Sequence, residues 1–158
     1  MLQKSLVVQI AGNSGDGAIS AGDIFSLASA RSGLNVVTHK IYPAEIRGTG
    51  STMFQIRVSP NKLYTHGTKS DFLISLSNQG LELYKDNVRK GGIILYEITD
   101  AEEENLDDIS KTIKKIGVPF VELAKKIKAP RSKNIVALGV LAGLIPDSFA
   151  ISGDSWYS

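Results

Sequence analysis

The sequence predicts an α/β domain in which helices cover both faces of a mainly parallel sheet. Short runs rich in β-branched residues alternate with segments of helical apolar spacing, which is the pattern of strand–helix–strand units. One further segment alternates between apolar and polar residues, and we expect it to be a single antiparallel strand. The 158 residues can bury one core, so we expect one domain over residues 1–158. The predicted class is a three-layer α/β/α, Rossmann-like fold.

The first predicted unit consists of a strand, a helix and a second strand. Residues 5–10 are a short β-branched run that ends in glycines and predicts a buried strand. Apolar residues then recur at helical spacing, and Gly33 supplies a C-terminal stop. The residues with this spacing are Ala18, Ala21, Phe25 and Ala28. Residues 35–42 predict the second strand, which ends at Pro43.

Two strands of different character are predicted in the middle of the chain. Residues 52–58 alternate cleanly, as expected for a half-exposed strand that runs antiparallel to its neighbours. The apolar face holds Phe54, Ile56 and Val58, and the polar face holds Gln55 and Arg57. After a turn-rich connection, residues 71–76 predict another buried strand.

The next prediction is a helix followed by a strand. Asn78 is a suitable N-cap, and Leu81, Tyr84 and Val88 would line one side of the helix. Gly91-Gly92 would end this helix before a strand at residues 93–96.

The remaining predicted elements are two helices with a short strand between them. The first helix rests on the spacing of Ile109, Ile113 and Ile116. Residues 118–120 predict the strand, and residues 135–144 predict an apolar helix with several small residues. Residues 146–158 show no periodicity, so we expect this tail to need a partner or a continuing chain.

Composition excludes several classes of function. The sequence contains no cysteine, which excludes disulfides, thiolate zinc sites and cysteine-ligated iron–sulfur clusters within this chain. With 18 basic and 16 acidic residues, the charge gives no case for nucleic-acid binding. There is no export signal at the N-terminus and no apolar run of membrane-spanning length. We therefore expect a cytoplasmic protein without nucleic-acid or membrane partners.

A glycine-rich loop, Gly12-Asn13-Ser14-Gly15-Asp16-Gly17, connects the first strand to the first helix. Such a turn brings backbone N–H groups and a helix N-terminus together, which suits an anion. The glycine spacing is the reverse of the dinucleotide fingerprint, and the loop lacks the Gly-Lys-Ser/Thr end of a phosphate loop. Gly15-Asp16-Gly17 imitates a thiamine-diphosphate motif without its later paired asparagines. The structural alternative is a tight turn in which Ser14 or Asp16 caps the helix.

A second polar segment, residues 42–48, follows the second strand. It should lie at the same carboxyl-end edge of the sheet as the glycine loop, where open α/β sheets bind ligands. The candidate residues in it are Tyr42, Glu45, Arg47 and Gly48. Arg47 could clamp a phosphate or carboxylate, and Glu45 could orient it. The alternative is a surface ion pair in a loop.

Together these segments resemble the gamma domain of the 2-oxoacid:ferredoxin oxidoreductases. The resemblance covers nearly all of residues 5–145 in order and spacing, and the chain is most similar to the 2-oxoglutarate-type fused gamma–alpha subunit. The segments that show it are residues 12–17, 21–22, 42–48, 53–58, 70–78, 91–94 and 134–139. The loop is more polar than the Gly-Gly-Gln-Gly form of many separate gamma subunits, which favours the fused subtype. A separate subunit and the N-terminal part of a longer chain both stay open.

The resemblance implies a function shared with other subunits. The family oxidatively decarboxylates a 2-oxoacid to an acyl-coenzyme A and passes electrons to ferredoxin. It uses thiamine diphosphate, Mg²⁺, an iron–sulfur cluster and coenzyme A in a complex with alpha and beta parts. The resemblance places the thiamine between those parts, so we expect no catalytic residue, no metal ligand and no cofactor bound by this chain alone. The glycine loop and residues 42–48 are expected to face the active-site cleft or coenzyme A.

Two other functions stay open from the sequence. A stand-alone nucleotide- or phosphate-binding Rossmann-like module would use the glycine loop for phosphate. A purely structural interaction domain would use the same loop only for assembly.

Overall fold

A computed structural model describes residues 5–43 and 50–145 of the chain. Its strands are β1 (Leu6–Asn13), β2 (Asn35–Ile41), β3 (Ser51–Ser59), β4 (Ser70–Ser75), β5 (Val88–Glu97) and β6 (Lys114–Val118). Its helices are α1 (Ala18–Arg31), α2 (Asn78–Tyr84), α3 (Glu103–Asp107), α4 (Phe120–Lys126) and α5 (Lys133–Leu144). A 3₁₀ turn, Lys85–Asn87, joins α2 to β5. None of the described helices is long and apolar enough to cross a membrane.

The six described strands form one sheet in the order β2-β3-β1-β4-β5-β6. β3 runs antiparallel to both β2 and β1, whereas β1, β4, β5 and β6 pair in parallel. One core cluster unites α1, α4 and α5 with one face of the sheet, and a second lies on the other face under α2. The predicted three-layer, mainly parallel fold with one antiparallel strand is therefore confirmed.

The first unit agrees closely with the sequence prediction. The four residues that define the apolar stripe of α1 are all buried, and they are Ala18, Ala21, Phe25 and Ala28. Gly33 has φ +82°, in the left-handed region, and its N–H donates to the carbonyl of Ala30. This glycine ends α1 because the chain must turn there through a conformation that other residues adopt at a cost.

The prediction that β3 is exposed on one face was wrong. β3 lies between β2 and β1, and Gln55 on its polar face is buried. The loop after β3 covers that face, since the Gln55 amide donates to the carbonyls of His66, at 2.7 Å, and Gly67, at 2.9 Å. Gln9 of β1 donates to the Gln55 carbonyl oxygen at 2.7 Å. A polar residue in an alternating strand is thus buried because the loop and the neighbouring strand satisfy it.

The helix predicted around Asn78 begins there but has a different cap and a different end. Ser77 is the N-cap, and its hydroxyl accepts from the Gly80 N–H at 3.2 Å. Val88 and the pair Gly91-Gly92 lie within β5 rather than at the end of the helix. Gly91 has φ +76°, and the β4–β5 register shifts there, so the glycines permit an irregular strand.

The helix predicted from Ile109, Ile113 and Ile116 does not form. α3 is a single turn that ends at Asp107, and Ile116 pairs with Leu95 within the sheet. The last strand therefore covers Lys114–Val118 rather than residues 118–120. Isoleucines at helical spacing also suit a strand, and pairing with β5 decides between the two. The unperiodic tail, residues 146–158, lies outside the described residues.

The fold predicts one feature of the alkaline stability of the domain. Burial raises the pKa of the Tyr84 hydroxyl above the ordinary value of about 10 for tyrosine. At pH values just above 10, the folded state therefore keeps the phenol proton while the unfolded chain loses it. The contribution of Tyr84 to the unfolding free energy is fully present below pH 10 and is lost as the pH rises above 10. We expect Tyr84→Phe to reduce the loss of unfolding free energy above pH 10, as measured by urea titration. Tyr64→Phe, at a side chain that is 82% exposed, is the control; equal pH profiles for wild type and Tyr84→Phe would refute the assignment.

Candidate functional site at the carboxyl edge of the sheet

The glycine loop lies where β1 ends at Asn13 and α1 begins at Ala18. Gly15 has φ +91° and Gly17 has φ +84°, so both occupy the left-handed region that favours glycine. The loop emerges at the end of β1, with Asn13, Ser14 and Gly15 exposed to solvent. The exposed part of the loop therefore offers an amide, a hydroxyl and bare backbone to a ligand.

The carboxylate of Asp16 turns back onto the loop that contains it. Its Oδ2 accepts from the Asn13 N–H at 2.8 Å, while the Asp16 N–H donates to the Asn13 carbonyl at 3.0 Å. The N-cap position of α1 is Gly17, and no side chain caps the helix. The structural alternative in which Ser14 or Asp16 caps α1 was therefore wrong. Asp16 closes the turn instead.

Two residues of α5 contact the loop and received no role from the sequence. Lys133 Nζ lies 2.6 Å from Asp16 Oδ1 and 3.1 Å from the carbonyl of Leu76. The Asn134 amide donates to the Gly17 carbonyl at 3.2 Å. A Cβ on Gly17 would lie only 2.4 Å from Asn134 Nδ2, so this contact also requires glycine. The N-terminus of α5 thus holds the loop in place.

One sequence signal could have indicated this contact. Lys133 and Asn134 are the only polar residues of α5, whose other ten residues are apolar. A lysine and an asparagine at the start of such a helix suggest a local polar partner. The partner itself, 117 residues away in the chain, depends on tertiary packing.

The base of the loop is packed tightly. A Cβ on Gly12 would lie 2.9 Å from the Asp16 Cβ and 3.1 Å from the Leu76 Cβ. The Gly12 carbonyl accepts from the hydroxyls of Ser51 and Thr52, each at 3.2 Å. Gly12 therefore permits close packing between β1, β3 and the β4–α2 connection.

The predicted second segment begins at the same edge of the sheet. Ile41 and Ala11 are both register partners of Met53, so the ends of β2 and β1 lie side by side across β3. Tyr42 follows β2 and is 62% exposed. Glu45, Arg47 and Gly48 lie outside the described residues. Tyr42 is therefore the candidate residue of the second segment that the structure describes, and it lies at the same edge of the sheet as the glycine loop.

The described residues at this edge offer polar groups that can contact a ligand. No group of three or more His, Asp or Glu side chains that could hold a metal occurs in residues 5–43 and 50–145. Within the loop, the Asp16 carboxylate already accepts from the backbone and pairs with Lys133. The Lys133 ammonium balances the charge of this carboxylate, so Asp16 is engaged within the loop and the exposed residues 13–15 are the part open to a ligand.

The fold and this edge define a Rossmann-like α/β domain with a self-closed glycine loop between β1 and α1. The chain belongs to the pyruvate ferredoxin/flavodoxin oxidoreductase family, whose model matches residues 7–150. The resemblance found in the sequence is thereby confirmed.

Individual relatives show how much of each protein the chain represents. It is 32% identical over 148 residues to the ketoisovalerate oxidoreductase subunit VorA of Methanothermobacter thermautotrophicus, covering 90% of this chain and 30% of VorA. It is 31% identical over 140 residues to the 2-oxoglutarate synthase subunit KorC of Methanocaldococcus jannaschii, covering 87% of this chain and 73% of KorC. The chain thus spans under a third of one relative and about three quarters of the other.

Solved structures agree with this family. A 2-oxoglutarate:ferredoxin oxidoreductase from Magnetococcus marinus, solved with 2-oxoglutarate, coenzyme A and succinyl-CoA bound, matches with a TM-score of 0.85 and 37% identity. The match covers 98% of this chain and 26% of that one. The gamma subunit of a keto/oxoacid ferredoxin oxidoreductase from Geobacter sulfurreducens has a TM-score of 0.76 at 21% identity, covers 94% of this chain and 82% of that one, and shows the same fold.

Proposed function

We propose that this chain is the gamma part of a 2-oxoacid:ferredoxin oxidoreductase. With alpha and beta parts it would oxidatively decarboxylate 2-oxoglutarate or a related 2-oxoacid to the acyl-coenzyme A, with ferredoxin as electron acceptor. The similarity to the Magnetococcus marinus enzyme over nearly the whole chain is the observation that supports this most directly. Residues 1–158 would form one gamma-type domain, either as a separate subunit or as the N-terminal part of a gamma–alpha chain. The cytoplasmic location predicted from the sequence belongs to the same proposal.

The residues of this chain fit some of the family's cofactors and not others. An iron–sulfur cluster needs thiolate ligands from other parts, because the sequence has no cysteine. In this proposal Mg²⁺ and thiamine diphosphate lie between the alpha and beta parts, as the family resemblance implies. For coenzyme A, the described residues offer an exposed amide, hydroxyl and glycine together at the carboxyl edge.

In this proposal the glycine loop contacts coenzyme A through its exposed half. Asn13, Ser14 and Gly15 would make the direct contacts, while Gly12, Asp16 and Gly17 hold the loop's shape. We include the second segment in the same cleft. Tyr42 would supply an exposed ring beside the loop. Glu45, Arg47 and Gly48 remain predictions from the sequence, with Arg47 as the group that pairs with a phosphate or carboxylate.

The test is coenzyme A-dependent reduction of a viologen dye by several 2-oxoacids, with the chain reconstituted with alpha and beta parts. We expect Asn13→Ala combined with Ser14→Ala to raise the KM for coenzyme A about tenfold, since each lost hydrogen bond costs about 0.5–1.5 kcal/mol. We expect Arg47→Ala to lower kcat/KM for coenzyme A or the 2-oxoacid. Asn61→Ala, in the loop that follows β3 at the opposite edge, is the control.

The same assay can contradict the proposal. Full activity without the chain, or unchanged kinetics in both the loop variant and Arg47→Ala, would remove the proposed role. A stand-alone nucleotide-binding module would instead bind a nucleotide as the isolated chain and lose that binding on Gly15→Val. Calorimetry with the isolated chain separates these two functions.

A further inference from the structure

The two edges of the sheet differ in how they are protected. Among the described strands, β2 and β6 are the edge strands. β6 exposes Lys114 and Lys115, and such lysines discourage a second strand from pairing. The only lysine of β2, Lys40, is held against α1, where Nζ pairs with Asp23 at 2.8 Å and lies 4.7 Å from the centre of the Phe54 ring. The edge at β2 is therefore the one left open to a strand partner.

The backbone groups that point outward from β2 follow from contacts within the sheet. In β1, the N–H of Val7 donates to a side chain of β4, and the carbonyl of Ala11 accepts from Leu76, which follows β4. Odd-numbered residues of β1 thus face β4. Because backbone groups alternate in direction along a strand, the even-numbered residues of β1 bond to β3.

The same alternation extends across β3 to β2. The even-numbered residues of β1 pair with even-numbered residues of β3, so the odd-numbered residues of β3 bond to β2. These odd residues are the register partners of the odd residues of β2, such as His39 with Gln55. Val36, Thr38 and Lys40 therefore direct their N–H and C=O groups away from the sheet. No described strand pairs with them.

We propose that a second copy of this chain pairs with β2 in antiparallel orientation, about a two-fold axis at Thr38. In this register the outward-facing residues meet one another: Thr38 faces Thr38 of the other copy, and Val36 faces Lys40. These three pairs would exchange about six backbone hydrogen bonds, two for each pair. The two copies of Lys40 do not face each other, so no like charges are opposed, and a Thr–Thr pair is favourable across strands. The two sheets would form one continuous sheet.

Side chains beside β2 extend this interface on both faces of the sheet. On the α1 side, Leu27 is 51% exposed although it is apolar. On the other side, His66 stacks on His39 with ring centres 4.6 Å apart, and Tyr64 of the same loop is almost fully exposed. Ile41 is also partly exposed. A stable dimer buries about 1,200 Å² or more of accessible surface in total. Burial of these side chains would add to the surface that the paired strands bury.

The proposal is tested on the full chain by sedimentation and light scattering. We expect the wild type to have twice the monomer mass of 17.0 kDa. Thr38→Pro removes an outward N–H that has no strand partner among residues 5–43 and 50–145, and edge strands tolerate proline. We therefore expect Thr38→Pro to keep the wild-type circular dichroism spectrum and to weaken dimerisation about tenfold or more. Thr38→Ser, which keeps the N–H, is the matched control and should remain a dimer.

Hydrogen exchange gives a second measurement. In the wild type, the amides of Val36, Thr38 and Lys40 should exchange slowly at high protein concentration and faster on dilution. A wild-type chain that is monomeric at its highest soluble concentration would overturn the proposal. A dimer whose mass is unchanged by Thr38→Pro would do the same, because it would use another surface.

Discussion

Replacing Gly22 with valine is expected to destabilise this domain more than any other single substitution considered. Gly22 lies on the face of α1 that packs on β3, and an added Cβ would lie 2.1 Å from Phe54 Cδ1 and 2.4 Å from Cγ. The Phe54 ring is fully buried, so it has no free space to move into. Overpacking of this kind typically costs about 1–3 kcal/mol, and we expect Gly22→Ala to lie in that range and Gly22→Val above it.

The measurement is the unfolding free energy from urea denaturation of the isolated chain. Gly139→Ala is the matched control, because Gly139 also lies within a helix, yet no described heavy atom beyond its chain neighbours and its own helix backbone lies within 4 Å of an added Cβ. Alanine there should be neutral or stabilise by up to about 1 kcal/mol. If Gly22→Ala were as stable as the wild type, the described approach of α1 to β3 would be incorrect.

Lys133→Met is expected to release the glycine loop and to lower both stability and activity. The ammonium group pairs with Asp16 and donates to the Leu76 carbonyl, and the side chains of Lys133 and Asp16 are only 21% and 16% exposed. In the methionine variant, the largely buried Asp16 carboxylate would lose the Lys133 ammonium and keep the hydrogen bond from the Asn13 N–H. We expect a loss of about 1–3 kcal/mol in unfolding free energy. We also expect the KM for coenzyme A of the reconstituted enzyme to rise.

A double-mutant cycle with Asp16→Asn separates this contact from other effects of the substitution. Residues in direct contact show coupling energies of about 0.5–3 kcal/mol, and we expect a value in that range for Asp16 and Lys133. Lys126→Met is the control, because Lys126 pairs with Glu122 on the surface, where both side chains are more than half exposed. Such a pair contributes about 0–1 kcal/mol. A coupling energy near zero between Asp16 and Lys133 would show that the loop does not depend on α5.

The elements that the sequence predicted correctly are those whose signals are local. The apolar stripe of α1, its glycine stop and the β-branched runs of β1, β2 and β4 each define an element without reference to the rest of the chain. The edge location of the glycine loop followed as well, because a strand–turn–helix unit places its turn at the carboxyl end of the strand. The family resemblance depended on the order of such local segments.

Predictions failed where two local structures suited the same residues. Gly91-Gly92 could end a helix or interrupt a strand, and Ile116 could belong to a helix face or to a strand. The parallel pairing of β5 with β4 and β6 settled both cases. Likewise, the alternating pattern placed Gln55 on an exposed face. This prediction failed because the carbonyls of residues 66 and 67 come to lie over Gln55 only in the folded chain.

The sequence by itself determined the class of fold, the family and the place of the glycine loop. Only the tertiary structure decided what the loop's aspartate does. Asp16 could have capped α1 or faced a ligand, and both are local arrangements that the sequence allows. Its actual partner is Lys133, brought near by the packing of α5 beside α1. Contacts between residues so far apart in the chain depend on how the layers pack, and spacing along the sequence does not encode them directly.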